Sequence, residues 1–253
     1  MYMKNNVLYL LSLLLFFSCQ TSTETPLSND DKIITVPKRT LQLAKDRYNV
    51  AFLIMDGVYN TELTAPYDIF QHTIFRDSIK AMNTFLVANT LHPITSFEGI
   101  RLLPDYDYLT DDLPPIDILV VPSAEHHLDT DLEDEAMLDF VRKVDKTAKY
   151  MTSHCDGAFV LAKAGVLDQA VSTTFPSDID KYKKMFPHLD VRSDVLFVHD
   201  GKYITSAGGA KSFEAALYLA EILYGKKIAQ SLAGGLVIDW QIATVPKVVI
   251  EKE

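Results

Sequence analysis

The sequence is short of the residues that staple a fold, hold metal or grip nucleic acid. Only two cysteines, Cys19 and Cys155, occur in 253 residues. Their surroundings differ so much that no disulfide is read from them. Lysine and arginine number 24 against 34 aspartates and glutamates, a net charge of −10. No basic stripe or basic helix stands out, so no nucleic-acid partner is expected. No cluster of His, Cys and acidic residues has metal-ligand spacing. No phosphate-cradling glycine-rich loop is present either, and no cofactor is expected. There is one tryptophan, Trp240, and no internal repeat. What is there, 48% hydrophobic and 23% charged, is ordinary for a globular protein, and the length suits one sizeable α/β domain.

The apolar run near the N-terminus, Val7–Phe17, has eleven residues and follows Lys4. That is a signal-peptide layout, too short for a bilayer span of about 20 residues. Ser18-Cys19 comes directly after it, as in a bacterial lipoprotein signal, although Phe16 and Phe17 depart from the usual aliphatic and small residues. The polar stretch QTSTETPLSNDD then reads as a tether. The expected organisation is a signal peptide over 1–18, a lipid-anchored tether over 19–45 beginning at lipidated Cys19, and one domain over 46–253. The expected location is the bacterial cell envelope, lipid-anchored to a membrane.

Within the domain, Tyr48–Met55 and Ile116–Val121 are continuous apolar runs, as in strands covered on both faces. Phe85–Thr90 is a further strand, and 94–103 a short ribbon. Helical patterns cover 60–70, 132–144, 177–186, 212–223 and 228–236. Residues 191–206 read as a hairpin turning at Asp200-Gly201. Strands alternating with helices predict a flavodoxin-like three-layer sandwich, a mostly parallel sheet with helices on both faces. Sites in such sheets lie at the carboxyl ends of the strands.

The stretch Lys149–Gly165 reads as a strand, a sharp turn and a helix, with Cys155 at the junction. This is a nucleophile-elbow pattern. A helix start favours a thiolate. Taken alone, the stretch fits a buried structural cysteine equally well.

Four segments together resemble the ThiJ/PfpI superfamily, the class I glutamine-amidotransferase-like fold of the Parkinson-disease protein, PfpI-type proteases and isonitrile hydratases. They are 50–70, DILVVPSA at 117–124, 153–174 and ITSAGGAKSFEAALYLAE at 204–221. The pattern is most similar to the isonitrile-hydratase and AraC-regulator branch. The resemblance makes Cys155 the nucleophile and Glu62 the acid facing its sulfur. The backbone N–H groups of Asp156 and Ala124 would form an oxyanion hole. Asp156 stands where the proteases have His and the hydratases often Thr. Ser123-Ala124 replaces a Gly-Gly, and Phe175 follows Thr173-Thr174. No complete Cys-His-acid triad is visible. His126 and His127 lie on the correct side of the sheet to assist. His154 is expected to point away from the sulfur, and His199 precedes a turn.

The resemblance implies a small-molecule substrate or ligand and admits a homodimer. The expected activity is hydration or hydrolysis of a small carbon–nitrogen or carbonyl compound, isonitrile hydratase-like. The alternative is a non-catalytic redox or small-ligand sensor using the same cysteine. With thirteen residues after Trp240, the helix-turn-helix domain of the AraC-type regulators is not expected. Cys155 is expected to be a low-pKa thiolate with Glu62 sharing its proton. For the anchor, wild type should partition into the detergent phase and Cys19→Ala into the aqueous phase. Equal membrane retention of both would refute lipidation at Cys19.

Overall fold

The computed structural model describes residues 41–251. The expected signal peptide, the expected lipidation site at Cys19 and most of the expected tether lie outside the described residues. Residues at the end of that tether pack on the domain: the Asn83 side chain bonds both the N–H and the C=O of Ala44.

Eight strands form the central sheet: β1 (Tyr48–Leu53), β2 (Met82–Ala88), β3 (Tyr106–Asp107), β4 (Ile118–Val121), β5 (Tyr150–His154), β6 (Phe197–Asp200), β7 (Tyr203–Ser206) and β8 (Lys247–Ile250). Their order across the sheet is β8-β6-β7-β5-β4-β1-β2-β3. Every pairing is parallel except the β6–β7 hairpin. Six α-helices are described: α1 (Asn60–Gln71), α2 (Glu135–Asp145), α3 (Gly157–Lys163), α4 (Ile179–Met185), α5 (Ser212–Tyr224) and α6 (Lys226–Gly235). No described helix is long and apolar enough to cross a membrane.

Strand alternation divides the core. Ala51, Leu53, Leu119 and Val121 pack with α2, α3 and α4 on one face. Val50, Phe52, Ile118 and Val120 pack with α1, α5 and α6 on the other. This is why β1 and β4 are apolar throughout: neither face meets water.

Several boundaries differ from the sequence reading. β2 starts at Met82, ahead of Phe85, because its polar residues are buried with partners: Asn83 on Ala44 and Asn49, Thr84 on Gln71. α2 starts at Glu135 because Asp134 caps it, its carboxylate accepting from the Met137 N–H at 3.1 Å. Val191 lies outside the hairpin; it pairs in parallel with Ser172 in a separate ribbon. β3 and β8 were not expected. They are short edge strands of two and four residues, too short for alternation to register.

α3 sits directly on the end of β4. A Cβ at Gly157 would lie 2.0 Å from the Val121 carbonyl oxygen, a backbone atom with no room to retreat. Gly157→Ala is therefore expected to destabilise the domain at or above the top of the roughly 1–3 kcal/mol range for overpacking. Urea unfolding monitored by circular dichroism checks this; an unchanged midpoint would contradict the close packing.

Candidate active site

Between the end of β5 and the start of α3 stand two residues, Cys155 and Asp156. Cys155 has φ 54°, left-handed backbone that costs a non-glycine residue about 1–3 kcal/mol. Neighbours hold it there. Its N–H donates to the Ser206 carbonyl at 2.9 Å, and its own carbonyl lies 3.1 Å from Thr174 Oγ1, whose single proton it shares with the Asp156 carboxylate. Gly208 backs it so closely that a Cβ there would lie 2.3 Å from Cys155 Cβ. The elbow expected from the sequence is present, and its cysteine is a free thiol, 8% exposed.

Glu62, in the first turn of α1, is also buried, at 7% exposure. Its Oε1 accepts the Gly209 N–H at 2.9 Å. Its charge reaches the sulfur, raising the thiol pKa. The acid in contact with the sulfur, however, is Asp156: the thiol lies 3.7 Å from Oδ2 and donates to it. Thr174 Oγ1 donates to Asp156 Oδ1 at 3.1 Å. Burial, then the charge of Asp178, push the Asp156 carboxyl up to about 6.

The expected low-pKa thiolate is not what these surroundings favour. Burial pushes the thiol pKa up, and the Asp156 carboxylate pushes it further. The Ser123 hydroxyl, which makes no hydrogen bond within normal geometry, faces the sulfur and works against the rise. α3 has only seven residues. The pull of its N-terminus toward the thiolate does not offset the desolvation and the adjacent carboxylate.

The histidines do not complete a triad. His127 is fully buried, and its Nδ1 accepts the Ala124 N–H at 3.2 Å. That places the ring proton on Nε2, 2.9 Å from Met55 Sδ. Two expectations change together. The Ala124 N–H is already engaged and is not a free oxyanion donor, and His127 is a packing residue. His126 is exposed and pairs with Asp129 at 3.3 Å. His154 points away as expected, onto Ser206 Oγ at 3.0 Å. His199 bonds Tyr218 and Gly201. The Asp156 N–H does face the sulfur. No group of His, Cys and acids among the described residues could hold a metal ion.

The loop after β1 is tied down on both sides. Val58 bridges Ala124, the Tyr59 N–H donates to the Ser123 carbonyl at 2.9 Å, and the Phe97 N–H donates to the Val58 carbonyl at 3.0 Å. These bonds bring Tyr59 to the site, where burial and the charges of Cys155, Glu125, Asp156 and Glu62 raise its pKa. Phe97, half exposed, packs on the Tyr59 ring at 4.6 Å. Nothing in the sequence marked Tyr59 beyond its place just before Glu62. A groove of about 350 Å³, lined by Thr173, Thr174, Pro176, Ile179, Val195 and Leu196, meets the site at Thr174.

The DJ-1/PfpI family model matches residues 48–222. The chain belongs to the DJ-1/PfpI family. Among curated relatives, the isonitrile hydratase of Pseudomonas putida is 33% identical over 184 residues, 72% of this chain and 74% of that protein. The HTH-type transcriptional regulator CdhR of Pseudomonas aeruginosa is 33% identical over 103 residues, 41% of this chain and 30% of the regulator. Among solved structures, a ThiJ/PfpI family protein from Pseudomonas syringae has a TM-score of 0.67 at 22% identity, covering 87% of this chain and 84% of that one. DJ-1beta of Drosophila melanogaster has a TM-score of 0.63 at 22% identity, covering 77% of this chain and all of that one. The flavodoxin-like fold expected from the sequence is thus the family's fold.

In this DJ-1/PfpI protein burial holds His127 and His154 down to about 3. Their folded-state values lie below the usual 6.5, so both rings stay neutral across the physiological range. Stability from keeping them neutral is complete above about pH 6.5 and is lost as pH falls toward 3. The expected NMR result is that neither imidazole titrates between about pH 5 and 8. A midpoint inside that window for either ring would contradict its burial.

Proposed function

We propose that this protein hydrates or hydrolyses a small carbon–nitrogen or carbonyl compound at Cys155, in the manner of an isonitrile hydratase. The observation that carries this reading is the thiol itself, held in left-handed backbone beside a buried acid. Strained backbone persists where surrounding structure over-determines it, and such sites are often functional. The likeness to the P. putida isonitrile hydratase supports the substrate class. Cys155 acts as nucleophile, the Asp156 N–H faces developing charge, and Glu62 fixes the segment at Gly209. The same proposal has a lipid anchor at Cys19 holding the domain at a membrane, a small neutral ligand, and a homodimer as the assembly.

Wild type incubated with alkyl isonitriles should release the corresponding N-substituted formamide. Cys155→Ala should lose more than about a thousandfold in kcat/KM, the scale seen when a covalent nucleophile is removed. Formamide release that survives Cys155→Ala would end the proposal. So would the absence of turnover on isonitriles, small amides and reactive carbonyls alike.

A further inference from the structure

We propose that Asp156 is the catalytic proton partner of Cys155, its Oδ2 taking the Sγ proton as sulfur adds to substrate, passing it to the substrate, and restoring a water-derived proton to sulfur as product leaves. This rests on the reading of Cys155 as nucleophile.

The geometry points to Asp156. Asp156 is the residue just ahead of α3, where an aspartate normally accepts a hydrogen bond from the first turn of the helix. It makes no such side-chain cap here. The carboxylate turns away from the helix instead. Oδ1 accepts from Thr174 Oγ1 at 3.1 Å, and Oδ2 receives the thiol at 3.7 Å. The group is 8% exposed, so its charged form is poorly hydrated and gains by accepting a proton. Thr174 is the positioning residue: it holds one oxygen and leaves the other on the sulfur. Glu62, the acid first expected in this role, is engaged at Oε1 by the Gly209 N–H.

The step balances without any outside oxidant or reductant. The S–H bond breaks and its proton passes to Oδ2, while the sulfur lone pair forms an S–C bond. With an isonitrile, the carbon then takes the proton from Oδ2, giving a thioimidate, R–N=CH–S–enzyme. Water adds across the C=N bond, its oxygen on carbon and one proton on nitrogen. The S–C bond breaks, the remaining hydroxyl proton returns through Asp156 to sulfur, and the formamide leaves.

The charged and titratable groups facing Asp156 are Asp178 from the turn at 176–178, Glu62 from α1, Tyr59 from the loop before α1, and Cys155 itself. A proton shared between Asp156 and Cys155 makes the pair titrate in two steps. Alkylation of Cys155 by iodoacetamide, read at that peptide by mass spectrometry in the full chain, should rise first near pH 6, where Asp156 titrates. It should then hold a plateau before a second, alkaline rise. Asp156→Asn should abolish the lower step. Glu62→Gln should keep it and move it to lower pH, because a neighbouring negative charge is gone. Thr174→Val should keep it and move it to higher pH, because the carboxylate loses a donor; this variant decides the matter if Asp156→Asn does not fold.

A single alkaline rise in wild type would overturn the assignment, as would a lower step lost in Glu62→Gln and kept in Asp156→Asn. A merely repulsive Asp156 would give single rises in both wild type and Asp156→Asn, the latter shifted to lower pH. Isonitrile turnover is assayed in parallel. Two alkylation steps without turnover retain the proton partner and reject the substrate; turnover with one step does the reverse.

Discussion

The site depends on how closely the chain at Gly208 passes behind Cys155. Only a residue without a side chain can run there, at φ +77° with the Cys155 backbone nitrogen 2.6 Å from where its Cβ would stand. That passage does three things at once. It leaves the Ser206 carbonyl opposite the Cys155 N–H. It carries the next N–H, that of Gly209, to Glu62. And it pins the exits of β5 and β7 to the start of α1. The strained cysteine is stable because these neighbours leave its backbone no other place to go.

Electrostatics sets the character of the pocket so formed. Glu62, Asp156 and Asp178 all bear on a small buried region, and each carboxylate raises the proton affinity of its neighbours. The chain as a whole is acidic, at −10. An anionic substrate would meet repulsion at long and short range. A neutral electrophile would not, and isonitriles and simple amides are neutral. The resting proton sits on sulfur, donated toward Asp156. Nucleophilicity therefore depends on a proton being moved at the moment of reaction rather than on a standing thiolate.

Much of this was legible from the residues. Continuous apolar runs announced β1 and β4 because both faces of those strands are covered, and the elbow was announced by Cys155 at the junction of a strand and a helix. What pattern reading missed has a physical reason in each case. β3 and β8 are edge strands of two and four residues, too short for periodicity to register. The helical pattern over 212–223 was visible, but the close approach of Gly208 to Cys155 just ahead of it leaves no mark on a hydrophobic pattern. Asp156 was read for its backbone N–H and not for its carboxylate, because the side chain's contact with Thr174 links residues eighteen apart in sequence. The Ala124 donor was assigned without His127, whose buried ring claims that N–H. The family was visible from ordered segments; the identity of the proton partner needed distances.

The loop that follows β1 is hydrogen-bonded along both margins, to residues 123–125 on one side and 95–97 on the other. It is in effect a short third strand laid across the mouth of the sheet. Such a segment has already surrendered its conformational entropy in the unliganded protein. Moving Tyr59 aside would require several bonds to break together, so this wall is no hinged flap. A ligand arriving at Cys155 meets a surface whose shape is settled beforehand, and its binding energy is not spent on ordering the host. The region should accordingly rank among the slow-exchanging amides of the domain, beside the central strands.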